Sequence, residues 1–377
     1  MTILFTVTND LTYDQRMHRI CGTLAAHGYS VMLVGRSLSH SIHLVDRPFS
    51  QKRLRCWFQK GFLFYAEYNI RLFFFLLFSR YDAVCSIDLD TLLAGCCATL
   101  LRRKKRVFDA HEYFTEVPEV VGRPFVKKCW ELVARACLPF YQHAYTVGPA
   151  LAKIFEERYG LRFDVVRNVA RRASQAKPLV APRPPHDGAS FPSKKPGHLL
   201  YLGALNEGRG IETLLEAMTL LPTDAHLWLA GEGDLSDALR HRTAELGAND
   251  RVTFLGYVNP EETHALVANA WLGLNLFENR GLSYYYSLAN KFFHYVQAGV
   301  PVLNMDFPEY RVLNEQHEVA FLLDTLSPQA VADAVKKLLH DEAMYRHLQH
   351  NCLTARDAWS WEAEEQHLLK FWEKVFA

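Results

Sequence analysis

The chain opens with "MTILFTVTNDLTYDQRMHRICGTLAAHGYSVMLVG", residues 1–35, and this stretch decides the fold. "ILFTVT" is a β-rich run, residues 15–26 read as a helix, and "YSVMLVG" is a second strand. Strand, helix and strand in such close succession form the unit of a parallel sheet covered on both faces. The alternation continues with "YDAVCSI" and "KRVFDA", the helix "TLLAGCCATLLR" between them, and "HAYTVG" and "FDVVRN" close the series. A second series follows residue 197: "HLLYLG", "AHLWLAG", "RVTFLG", "WLGLNLF" and "VPVLNM", with helices expected over 210–220, 234–246, 260–270 and 289–298. The expectation is an α/β chain with two parallel-sheet domains, residues 1–169 and 198–355.

Between them, residues 170–197 hold five prolines from Pro178 to Pro192 and another at Pro196, which marks a linker. Residues 356–377 read as an amphipathic helix anchored by Trp359, Trp361, Leu368, Phe371 and Trp372. Ligands of such sheets bind beyond the carboxyl ends of the strands, so two domains meeting at those ends would enclose a cleft.

The formal charge of +1 gives no bulk attraction to nucleic acid, so any basic site must be local. Eight cysteines lack metal-site spacing, which favours a reducing, cytoplasmic setting. The opening residues read as a buried strand rather than a signal peptide. Residues 52–80, "KRLRCWFQKGFLFYAEYNIRLFFFLLFSR", mix basic and aromatic groups. Their apolar run, Leu72–Phe78, is far shorter than the roughly 20 residues that span a bilayer. Two readings stand: a pair of large helices packed in the first domain, or a surface lying in a membrane interface.

The second domain carries the anion-friendly patterns. In "LYLGALNEGRGIETLLEAM" a strand ends at Gly203, and Gly208 and Gly210 flank Arg209 before a helix. Such a turn offers free N–H groups and a guanidinium to a phosphate. In "SYYYSLANKFFHYVQAGVPVLNMDFPE", residues 283–309, Lys291 falls in the first turn of a helix starting near 288 or 289. A cation there opposes the helix dipole unless an anion compensates it. His294 lies one turn on, as a ligand contact or a satisfied histidine. Glu232, in "LAGEGDL", reads as a contact to hydroxyl or base groups, with Asp234 as a helix cap. "FLGYVNPEE" is a similar strand exit that includes Tyr257.

In the first domain, "VFDAHEYFTEVPE" places His111 and Glu112 after a strand, where His111 is expected to meet a sugar. "TNDLTYDQRMHR" supplies Asn9, Asp14 and Arg16 to an acceptor side, while Asp10 lines that side or caps the next helix. Asp88 and Asp90 have the spacing of a divalent-metal pair, but Asp90 is also a good N-cap, and no metal is assigned.

Taken in order, these segments resemble the family 4 glycosyltransferases of the GT-B architecture over nearly the whole chain. The resemblance implies retaining transfer from a nucleotide-diphosphate sugar to a saccharide or lipid-linked saccharide acceptor, in cell-surface polysaccharide synthesis, without a metal or other cofactor. It implies an acceptor-binding first domain, a donor-binding second domain and a terminal helix crossing back to the first. His111, Arg209 and Lys291 take the family's catalytic positions. Gly203, Gly208, Glu232, Tyr257, Ser287, Asn290 and His294 take donor-binding ones, and Asn9, Asp14, Arg16 and Glu112 face the acceptor. The implied place is the cytoplasm, including the cytoplasmic face of the inner membrane. Two positions depart from the pattern: Ala204 stands where many members carry a base, and Tyr286 and His294 stand where they carry paired glutamates. A non-catalytic nucleotide-sugar-binding or scaffolding subunit and a nucleotide-sugar epimerase therefore remain as alternatives.

Overall fold

The computed structural model describes residues 1–39, 41–172 and 195–377. These divide into two compact units, Met1–Arg167 with Gly281–Ser283 and Glu364–Ala377, and Asn168–Arg280 with Tyr284–Ala363. Most of the expected linker, 173–194, lies outside the described residues. At its near edge Ala170 and Arg172 bond to Trp361 and Glu362 within the second unit.

In the first unit seven parallel strands are ordered β3-β2-β1-β4-β5-β6-β7. They are β1 (Thr2–Thr6), β2 (Ser30–Ser37), β3 (Ser50–Arg55), β4 (Ala83–Ile87), β5 (Lys105–Ala110), β6 (His143–Thr146) and β7 (Phe163–Val165). The helices are α1 (Gln15–Ala26), α2 (Gly61–Phe78), α3 (Asp88–Leu101), α4 (Pro118–Val121), α5 (Pro124–Cys137) and α6 (Pro149–Tyr159). The central strand β1 pairs Leu4 with Met32 on one side and Val84 on the other, and Ile3, Leu4 and Phe5 are fully buried. That double burial is why the opening run is apolar without strict alternation.

The second unit repeats the plan with six parallel strands ordered β10-β9-β8-β11-β12-β13. These are β8 (His198–Leu202), β9 (His226–Ala230), β10 (Val252–Gly256), β11 (Leu272–Asn275), β12 (Val302–Met305) and β13 (Ala320–Leu323). Its helices are α7 (Ile211–Met218), α8 (Ser236–Glu245), α9 (Pro260–Ala268), α10 (Leu282–Tyr285), of which Leu282 and Ser283 group with the first unit, α11 (Asn290–Gln297), α12 (Pro308–Gln316), α13 (Pro328–His340) and α14 (Glu342–Ala355). The last helix, α15 (Trp361–Phe376), contributes everything from Glu364 onward to the first unit. There Trp372 packs edge-on against Phe5 at 5.6 Å, and the buried Glu364 accepts 2.8 Å bonds from the Arg167 N–H and guanidinium.

Three local expectations are corrected. Residues 52–80 are not a pair of helices: β3 takes the charged start, because its side chains lie at a sheet edge, and only 61–78 coil. Helix α3 begins at Asp88 with Ile87 before it, so Asp90 lies inside the first turn and is not the cap. Asp234 does not cap α8 either; its own N–H donates to Asn206 and the helix starts at Ser236.

Candidate functional site

In each sheet the strand order reverses beside the first strand of its unit, between β1 and β4 and between β8 and β11. The loops leaving those strands part there and open a crevice. Each unit gathers its unusual polar groups at that place.

In the second unit the loop after β8 carries Gly203, Gly208 and Arg209, the loop after β11 carries Phe277, and α11 carries Lys291. Helix α11 is seated by Tyr295, whose hydroxyl donates to the Leu200 carbonyl and accepts from the Leu202 N–H at 3.0 Å each. This brings Lys291 under the end of β8, where a Cβ at Gly203 would stand 3.6 Å from Nζ. The crossing is tight: a Cβ at Gly231, which ends the neighbouring strand at φ 143°, would meet the Gly203 carbonyl at 2.0 Å. Only glycine fits there. Gly208 is tied to the β11 exit through its carbonyl, which accepts the Glu278 N–H at 2.9 Å.

Lys291 is only 8% exposed, and its ammonium lies 3.8 Å from the centre of the Tyr201 ring and 5.3 Å from that of Phe277. Arg209 stacks on the same Phe277 at 4.8 Å and on Tyr284 at 5.0 Å. Among the described residues neither cation makes an ion pair. The Arg209 Nε–H is buried without a partner. Burial, then Arg209, pushes the Lys291 ammonium well below its usual pKa. Two like charges held by aromatic faces, neither in an ion pair among the described residues, give this end of the sheet a local positive potential.

The other donor-side candidates scatter more widely. Ser287 donates to the Tyr284 carbonyl, Asn290 opens α11, and His294 is half-buried one turn beyond Lys291. Tyr257 is exposed, and Glu232 pairs with Arg240 at 2.7 Å. The aromatic box of Tyr201, Phe277 and Tyr284 is not legible from spacing. Its one trace in sequence is the placement of Tyr201 and Phe277 within or just past strands that flank the crevice.

In the first unit the fully buried Asp109 carboxylate bridges a guanidinium and an imidazole. Oδ1 is 3.0 Å from Arg16 and Oδ2 is 3.0 Å from His111 Nε2. Arg16 also donates to the Val166 carbonyl and is 4% exposed, which corrects its assignment to an acceptor-facing surface. A guanidinium is needed there to neutralise Asp109. Asn9 and Asp14 bond to each other at 2.6 Å, and Asp14, not Asp10, caps α1 through the Met17 N–H. Asp10 instead accepts from Thr12, Ser41 and Arg53. Glu112 is exposed next to His111.

Asp88 adopts φ 52° and accepts the His111 N–H at 2.8 Å, and Asp90 takes the Thr8 hydroxyl at 2.5 Å. Left-handed backbone at a non-glycine residue is strained and persists only where its surroundings hold it. Burial raises the Asp88 pKa well above the usual range and that of Asp90 to about 6. The pair is thus committed to internal hydrogen bonds. Among the described residues no three His, Cys, Asp or Glu side chains gather as metal ligands.

Burial is the largest influence and lowers the His111 pKa, but the charge and hydrogen bond of Asp109 together with Asp88 turn the net direction upward. A histidine raised in this way stabilises the fold below its unfolded value, and that contribution is lost as pH rises through the folded value. NMR titration is expected to place His111 above 6.5. Asp109→Asn should lower it, because burial and Arg16 are then opposed only by the weaker pull of Asp88. An unchanged titration would show that Asp109 does not set the charge of the ring.

The profile of the family described as Glycosyl transferases group 1 matches residues 183–353. The matched stretch includes both Arg209 and Lys291. The lipopolysaccharide core biosynthesis glycosyltransferase LpsE of Rhizobium meliloti is 37% identical over 59 residues, 16% of this chain and 17% of the relative. The match therefore spans less than a fifth of that relative's length. Among solved structures, sucrose-phosphate synthase of Thermosynechococcus elongatus aligns with TM-score 0.77 at 18% identity, over 100% of this chain and 99% of its own. Anabaena HepE in complex with UDP-glucose aligns with TM-score 0.72 at 14% identity, over 99% and 100%. The two-sheet architecture is that of the GT-B glycosyltransferases.

Proposed function

We propose that the protein is a retaining, metal-independent glycosyltransferase of family 4. It moves a hexose from a nucleotide-diphosphate donor to a saccharide or lipid-linked saccharide acceptor in cell-surface polysaccharide synthesis. The observation that carries this reading is the pairing of buried Lys291 with half-buried Arg209, neither in an ion pair among the described residues, at the crevice of the second sheet. A diphosphate supplies the missing charge, and a solved structure of the same architecture holds UDP-glucose. The matched relative named for lipopolysaccharide core biosynthesis supports a saccharide acceptor. Eight cysteines without metal-site spacing fit a reducing cytoplasm.

In the proposed reaction an acceptor hydroxyl oxygen bonds to the sugar C1 while the bond from C1 to the diphosphate oxygen breaks on the same face. The nucleoside diphosphate leaves with the electron pair, and the hydroxyl proton passes to its departing oxygen. Lys291 and Arg209 stabilise the charge that develops there, an effect of about 3–4 kcal/mol per well-placed donor. His111 bonds a hydroxyl of the transferred sugar, and Asp109 orients the ring and favours its charged form.

A second reading is a nucleotide-sugar-binding subunit without turnover, favoured by His294 and Ala204 where the family pattern carries an acid and a base. Mass spectrometry of a nucleotide-sugar panel incubated with extracted lipid-linked saccharides, with and without EDTA, separates the readings. Transfer predicts an acceptor heavier by one hexose and released nucleoside diphosphate, unaffected by EDTA. Binding with neither product would establish the subunit, and a changed donor sugar without acceptor would establish an epimerase.

A further inference from the structure

The first unit carries an apolar surface that the donor chemistry does not use. Helix α2 is 18 residues long and by length and composition alone could cross a membrane. One side of it is unavailable for that. Phe64, Tyr68, Leu72 and Leu76, spaced one turn apart, are at most 3% exposed and pack with Leu4 and Val34 of the sheet. Yet the opposite side is apolar too, with Leu63, Ile70, Phe74 and Phe78 all facing solvent. Apolar sides on opposite faces of one helix are ordinarily both buried.

The neighbouring helices extend this face. Helix α3 packs against both α2 and α5. Asn69 of α2 bonds to the Asp90 carbonyl and Ala94 N–H of α3, and Tyr65 of α2 meets Trp130 of α5 edge-on at 5.1 Å. The exposed positions of α3 are Leu93, Cys97, Leu100 and Leu101, with no polar side chain among them. The outer stripe of α5 alternates Phe125, Lys128, Leu132 and Arg135. Trp57, Phe62, Phe78 and Phe125 are each 79–84% exposed.

Charge indicates what covers the face. Residues 51–80 hold six bases and one acid, Glu67. That carboxylate is sealed: it accepts the N–H groups of Trp57 and Phe58 and pairs with Arg71 at 2.7 Å, and its side chain is 11% exposed. Arg71 in turn lies 4.7 Å over the Trp57 ring. The acid that would repel an anionic surface is thereby neutralised by its own loop, leaving exposed rings among lysines and arginines.

We propose that the α2–α3–α5 face of the first unit docks flat on an anionic lipid bilayer, with its aromatic rings in the headgroup region and its bases on lipid phosphates. Aromatic insertion and basic residues near the surface contribute independently to such binding. A protein surface would be matched by exposed acid–base variety, which this face lacks. The proposal does not depend on the donor chemistry above.

Flotation of the full chain with phosphatidylglycerol–phosphatidylcholine vesicles, against phosphatidylcholine alone, tests it. The wild type is expected to float with the anionic vesicles, less so at high salt, and the Trp57 emission should shift to the blue, a change lost in Trp57→Phe. Phe74→Glu combined with Phe78→Glu, and separately Leu132→Glu, should each cut partitioning about tenfold or more. Lys128→Glu with Arg135→Glu should remove the preference for anionic lipid. These positions are exposed, so unchanged thermal unfolding and unchanged UDP binding show that the fold persists. No flotation of the wild type, or equal flotation of folded variants, would overturn the proposal. So would concentration-dependent dimerisation that Phe74→Glu with Phe78→Glu abolishes while vesicles are ignored, because the face would then belong to a second copy.

Discussion

Lys291→Met is expected to weaken UDP binding by about 2–4 kcal/mol, the scale of removing one partner from a buried charged contact. That is roughly 30- to 1000-fold in affinity. The same change should stabilise the unliganded protein. In the wild type an ammonium is 8% exposed against Tyr201 and Phe277, beside a second cation and without a carboxylate. Methionine keeps the length and apolar contacts and removes the charge, so the second unit should gain about 1 kcal/mol or more. Its melting temperature should rise by about 2–4 °C.

The pH dependence follows from the same residue. Its folded pKa is depressed below the usual 10.5, so the charged form is disfavoured in the folded state. The stability it forfeits is recovered as pH rises through the depressed value toward the unfolded one. UDP restores the charged form, so binding should take up protons at alkaline pH, measurable by calorimetry in buffers of different ionisation enthalpy. The uptake should vanish in Lys291→Met. Equal UDP affinity in the two proteins, or a less stable unliganded variant, would sink the assignment.

The second large effect lies in the first unit. Trp372→Ala is expected to cost about 3–5 kcal/mol, the range for removing a fully buried large aromatic side chain. Trp372 is wholly buried, stacks on Phe376 and meets Phe5 of the central strand edge-on. Trp372→Phe should cost much less, because it keeps most of the ring and deletes an indole N–H that has no partner. Two units of similar size need not melt together. Chemical denaturation followed by probes in each unit should therefore show the transition of the first unit moving well ahead of the second. A loss under about 1 kcal/mol would mean the tail helix is a minor element of that core.

The site was half legible. Arg209 and Lys291 stood out because glycines beside a strand end and a cation in a helix's first turn each oppose a local rule. Their aromatic supports did not, since Tyr201, Phe277 and Tyr284 look in sequence like any core residues. Arg16 misled in the opposite direction. A polar loop after β1 reads as solvent-facing, but α1 turns Arg16 inward to a carboxylate 93 positions away. Capping misled similarly: Asp10, Asp14, Asp90 and Asp234 all have cap chemistry, and only Asp14 of the four caps a helix.

The order of strands and helices was set by the sequence alone, because apolar periodicity acts over a few residues and needs no distant partner. Helix α1 over 15–26 and the repeated βαβ units are of this kind. The folded chain alone decided what the charges do. Whether a lysine is paired, solvated or buried against aromatic rings depends on which strands and helices converge on it. Lys291 and Arg209 meet at one phenylalanine from positions 82 residues apart, and Glu67 is silenced by a loop closing back on its own helix. Electrostatic energy depends on distance and burial in three dimensions, and neither is written in the order of residues.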